Sequence, residues 1–84
     1  MDVIESLQKV LDKIIKRLYP NISYIDVSVW GWGGSSLYKV TYYLNDKMDE
    51  PDARRIVEET HSLFTMVGPE KDSVLSVTFE KDEE

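Results

Sequence analysis

His61 is the only histidine in the chain, and it stands three residues after Glu58. A histidine beside a carboxylate is the beginning of a divalent-metal site, but firm sites need three or four convergent ligands. His61 and Glu58 are therefore weak metal candidates. Ser62 follows His61 directly. Neighbours on a helix point about 100° apart, so the two do not form a nucleophile–base pair, and no third orienting group is apparent. There is no cysteine, which excludes disulfides, thiolate metal sites and cysteine nucleophiles. Acid clusters at residues 46–52 and 80–84 lack the spacing of a calcium loop and read as solvated charge. Nothing pairs an activated nucleophile with a base. A non-enzymatic protein without a cofactor is expected.

The other informative side chains are aromatic. The run Trp30-Gly31-Trp32-Gly33-Gly34-Ser35-Ser36 holds both tryptophans and three of the four glycines. It joins two strand-like runs and precedes no helix, and no phosphate-loop lysine follows it. Its glycines serve a turn. A large aromatic on a turn is costly to leave in water unless something covers it.

The elements that would position these residues are legible from period and punctuation. From Asp2 to Leu18, apolar residues recur at three- and four-residue spacing, as on one face of an amphipathic helix. Asp2 with Glu5 fits a capping box, Lys16 and Arg17 suit the negative helix end, and Pro20 stops it. Ile22 to Trp30 and Leu37 to Leu44 alternate, giving two strands of an antiparallel hairpin around the glycine turn. Asp49 caps a second helix with Pro51 in its first turn, running to about Val67 with Gly68-Pro69 beyond. Its stripe includes Ile56, Thr60, Leu63 and Phe64. Ser73 to Phe79 is a third strand, with Leu75, Val77 and Phe79 inward. Residues 81–84 read as a frayed acidic tail on a single 84-residue domain.

The order αββαβ predicts an α+β fold: a two-layer sandwich, ferredoxin-like but one strand short. The crossover through the second helix makes strands two and three parallel. Placing strand three beside strand one predicts a split β-α-β unit of sheet order 2-1-3, with both helices on one face. The other face then displays Tyr24, Trp30 and Tyr43 among Asp26, Ser28, Lys39, Thr41, Ser76 and Thr78. Aromatics in polar company on an open sheet resemble an interface. Tyr24, Trp30, Trp32 and Tyr43 are the expected partner-binding residues, with Trp30 ending strand one and Trp32 in the turn itself.

Net charge is −6 and uneven. Residues 1–45 hold four acids and five bases; residues 46–84 hold twelve acids and five bases, or −7. This argues against direct contact with a nucleic-acid backbone, which needs clustered cations. No apolar run approaches the roughly 18 residues of a membrane span, and the acidic N-terminus is no signal peptide. A cytoplasmic protein is expected.

Particular residues resemble a known family. Pro20 to Trp30 resembles the start of the cytosolic C-terminal domain of cation diffusion facilitator transporters, where a V-x-x-V-x-D-x-x-V-W strand follows the first helix. Tyr38 to Leu44 looks like that family's second strand, Met48 to Val57 its L-S-x-x-E-A-H-x-I turn into the second helix, and Val74 to Glu80 its final strand. The resemblance implies a dimerising domain that in many members binds divalent metal to regulate transport, here as a stand-alone domain. The family's metal-ligand histidines do not survive. They fall at Arg54, at Tyr42 or Tyr43, and at Phe79 or Glu80.

The expected function is a protein-interaction or regulatory module, homodimeric or bound to another protein, using the open aromatic face and the Trp/Gly turn. One alternative is a divalent-metal-binding regulatory domain. Another is a small acidic inhibitor of a nucleic-acid-binding protein, favoured by the −7 excess after residue 45.

Overall fold

The computed structural model describes residues 2–32 and 35–82, with Trp32 described through its backbone alone. Five elements follow in the order α1 (Val3–Leu18), β1 (Ile22–Trp32), β2 (Ser35–Leu44), α2 (Glu50–Met66) and β3 (Ser73–Lys81). The fold is the expected two-layer α+β sandwich.

Local signals set the helix ends. The Asp2 carboxylate accepts a hydrogen bond from the Glu5 backbone N–H at 2.8 Å, satisfying a donor that the first helical turn leaves orphaned. Asp49 is the N-cap of α2, but its side chain makes no capping hydrogen bond. Gly68 ends that helix with φ +75°, a left-handed conformation that favours glycine.

Both helices press on one face of the sheet. Leu7, Leu11 and Ile15 of α1 join Ile56, Leu63 and Phe64 of α2 in one core with Tyr38, Val40 and Tyr42 of β2. The Gln8 side chain donates to the Ile25 carbonyl at 2.9 Å, tying α1 to β1. Tyr38 meets Phe64 edge-on, with ring centroids 5.1 Å apart. Inside this layer the Tyr42 hydroxyl lies 2.6 Å from the Thr60 hydroxyl, and Thr60 donates to the Ile56 carbonyl. Burial raises the Tyr42 phenol to about 12, with the Thr60 bond pulling slightly the other way.

The strand order is β1-β2-β3, which corrects the expected 2-1-3. β2 is central, antiparallel to β1 and parallel to β3. Both arrangements satisfy the hairpin and the parallel crossover. Burial favours the observed one: Tyr38, Val40 and Tyr42 are 0–3% exposed, so β2 has the inner face most in need of flanking strands. The β-α-β unit is consequently not split, because its two parallel strands are direct neighbours.

Both hairpin strands also run further than their alternation suggested. β1 continues to Trp32, opposite Ser35, so Trp32 ends a strand and is not a loop residue. Gly33 and Gly34 lie outside the described residues. At the other end, β3 includes Lys81, and the Asp82 N–H donates to the Leu44 carbonyl at 2.8 Å. Of the expected acidic tail, Glu83 and Glu84 lie outside the described residues.

Candidate functional site: the open face of the sheet

Strand alternation turns Leu37, Lys39, Thr41 and Tyr43 of β2 away from the helices, because Tyr38, Val40 and Tyr42 face them. The pairing registers set each of these beside residues of β1 and β3. Four rows result. Tyr24, Tyr43 and Glu80 form one, followed by Asp26, Thr41 and Thr78. Ser28, Lys39 and Ser76 come next, and Trp30, Leu37 and Val74 complete the face.

The first row is built on a stacked aromatic pair. The Tyr24 and Tyr43 rings lie 4.3 Å apart with planes 9° from parallel. A register shift between Ile22 and Tyr24 precedes this row, and the intervening Ser23 hydroxyl donates to the Tyr43 carbonyl at 2.9 Å. Tyr24–Tyr43 is the last pair in the register that runs unbroken from Trp32–Ser35, and the bulge beyond it resets the pairing so that Ile22 lies opposite Leu44. Partial burial raises the Tyr24 phenol above its ordinary value, with Tyr43, Asp82 and Asp26 adding to the shift. In the second row the Thr41 and Thr78 hydroxyls are 3.1 Å apart, bridging β2 to β3.

The fourth row is apolar. Trp30 is 56% exposed and Val74 59% exposed, with Leu37 half-buried between them. Tyr24 is 47% exposed at the other end. The polar middle is thus bracketed by an aromatic pair, with Glu80 at its β3 end, and by the apolar Trp30 row. Of the expected partner-binding residues, Tyr24, Trp30 and Tyr43 are on this face; the Trp32 side chain lies outside the described residues. Leu37 and Val74 were missed. Leu37 opens the alternating run of β2 at the end nearest the glycine turn, and Val74 joins the patch only through the parallel register Leu37–Val74.

The metal candidates do not form a site. His61 is exposed, with its Nδ1 2.9 Å from the Val57 carbonyl on the same helix, and Glu58 is exposed beside it. Among the described residues, no three His, Cys, Asp or Glu side chains converge as a metal would require. Within one copy, the described residues therefore do not gather the ligands of a divalent-ion site. At the opposite edge of the core, the Tyr38 hydroxyl donates to the Glu70 carboxylate at 2.7 Å, and Ser73 donates to the same oxygen. Burial, then the Glu70 contact, raises the Tyr38 phenol to about 12. The Tyr38 bond holds Glu70 below the usual carboxylate range. No helix among the described residues is long and apolar enough to cross a membrane.

No protein-family model matches the sequence, and no curated protein does. Solved structures do match in fold. The C-terminal domain of the MamB magnetosome protein from Desulfamplus magnetovallimortis BW-1 superposes with a TM-score of 0.77 at 22% identity, covering 100% of this chain and 98% of that one. The metal-bound C-terminal domain of the CzcD transporter from Thermotoga maritima gives 0.63 at 17% identity, covering 96% of this chain and 86% of that one. A variant of the MamM C-terminal domain gives 0.63 at 13% identity, covering 98% and 93%. The chain has the fold of cation diffusion facilitator C-terminal domains, as the residue resemblance implied.

Proposed function

We propose that this chain is a non-enzymatic regulatory module that self-associates as a homodimer through the open face of its sheet. The observation that carries this reading is the uncovered aromatic and apolar surface. Trp30, Tyr24 and Val74 are each about half exposed on one sheet face while both helices cover the other. Burying apolar area is worth roughly 25 cal/mol per Å², so such a surface favours a covering partner. A second copy is the simplest one, since a two-fold axis supplies the same patch twice. The fold likeness supports this reading through the dimerisation that the family resemblance implies.

Metal has no assigned part in the mechanism. The neighbouring CzcD domain is metal-bound, but here the three family ligand positions hold Arg54, tyrosine and Phe79 or Glu80.

Sedimentation velocity across a concentration series tests the proposal. The expected result is a reversible monomer–dimer equilibrium that Trp30→Ala and Tyr24→Ala shift toward monomer, with Trp32→Ala testing whether the strand end extends the surface. A strict monomer at millimolar protein rejects the dimer.

A further inference from the structure

A dimer through the sheet face can form in more than one orientation, and the charges on the face decide between them. The middle rows carry one acid and one base: Asp26 on β1 and Lys39 on β2, both exposed. The two ion pairs formed among the described residues, Arg54–Glu50 and Arg55–Asp52, are both on α2. Lys39 therefore has no ion-pair partner within the described chain.

Face-to-face packing of two identical sheets places the two-fold axis in the plane between them, in one of two simple settings. With the axis along the strands, every row meets itself. Lys39, on the central strand, would then oppose its own copy, and Tyr24 of β1 would lie against the partner's Glu80 on β3. With the axis across the strands, the row order reverses. The tyrosine row then meets the Trp30 row, and the Asp26 row meets the Lys39 row. Rows are about 7 Å apart and strands about 4.8 Å apart, so Lys39 is offset from the partner's Asp26 by one strand, within reach of a lysine side chain.

We infer that, within the proposed dimer, two copies pack with their rows reversed, Lys39 of each against the partner's Asp26. Tyr24 and Tyr43 then cover the partner's Trp30 and Leu37, and the Lys39–Asp26 pair forms twice, while Glu80, on the edge strand β3, lies at the rim over the partner's Val74. Like charges juxtaposed at an interface suppress the alternative setting.

Charge reversal with mixing tests the orientation. Lys39→Asp makes a face with two acids in the middle rows, and Asp26→Lys makes one with two bases. Each variant alone is expected to self-associate about tenfold or more weakly than the native chain. Mixed in equal amounts, the two should recover a heterodimer within a few-fold of native affinity. The introduced acid of one chain then meets the introduced base of the other, and the retained Asp26 of the first meets the retained Lys39 of the second. Circular dichroism of the single variants checks that these exposed substitutions leave the fold intact. If the native chain dimerises but the mixture fails to recover, the row-reversed orientation is wrong and the dimer reading stands. If either single variant dimerises as the native chain does, the orientation is likewise overturned. A native chain that never dimerises removes both.

Discussion

Tyr24 lies flat against Tyr43, centroids 4.3 Å apart, across the non-helical face of the sheet. Such a cross-strand pair does two things at once. It adds to the β1–β2 hairpin, and it turns one end of the face into a rigid aromatic platform. Tyr24→Ala and Tyr43→Ala should each lower folding stability by about 1 kcal/mol, with a coupling of about 0.5–1.5 kcal/mol in a double-mutant cycle. Urea denaturation of the two single variants and the double variant measures this. Strict additivity would mean that the stack contributes only the area it buries.

The buried hydroxyl pair predicts an asymmetry. Thr60 donates to Ile56, so the Tyr42 hydroxyl donates to Thr60. Thr60→Val leaves a buried O–H with no acceptor and should cost about 1–3 kcal/mol. Tyr42→Phe removes that donor and leaves Thr60 still bonded, so its cost should be about 1 kcal/mol or less. Equal losses on chemical denaturation would contradict this donor assignment.

Two tyrosines set an alkaline limit. Tyr38 and Tyr42 titrate near 12 when folded, against about 10 in an unfolded chain. A raised folded value stabilises the protein in full below pH 10, and that contribution is lost as pH rises toward 12. Thermal melts should therefore fall steeply over this window, and Tyr38→Phe should make the fall shallower. Glu70 works in the opposite sense. Its depressed value gives stability above the ordinary glutamate range that is lost as pH falls through it. Tyr38→Phe should remove part of that acid limb as well.

Titration calorimetry with Zn²⁺ should show no saturable binding tighter than millimolar, because His61 and Glu58 are two ligands at most on one exposed helix. Tight binding abolished by His61→Ala would put the metal-regulated alternative ahead of the interaction module.

Much of this architecture is legible in the sequence. Both helices announced themselves through the Asp2 cap, the apolar spacing from Val3 to Leu18, and Gly68. The hairpin followed from alternation on either side of a glycine-rich run. The order of strands did not, because the α2 crossover can deliver β3 to either side of the hairpin. What decides it is how deeply Tyr38, Val40 and Tyr42 must be buried, and that is a property of the packed layer. The same holds for the site. Tyr24, Trp30 and Tyr43 were visible as outward aromatics within their strands. Leu37 and Val74 were not, since their place beside Trp30 depends on two pairing registers that no single strand encodes.

The Tyr42–Thr60 contact has a meaning beyond its strength. A hydroxyl on the central strand meets a hydroxyl on α2 only when the helix sits at one height and one rotation over the sheet. Slide α2 by a turn and Ile56 or Phe64 faces the phenol, leaving it buried and unanswered. The pair thus acts as a key that admits a single alignment of the two layers, whereas the aliphatic side chains around it would tolerate several.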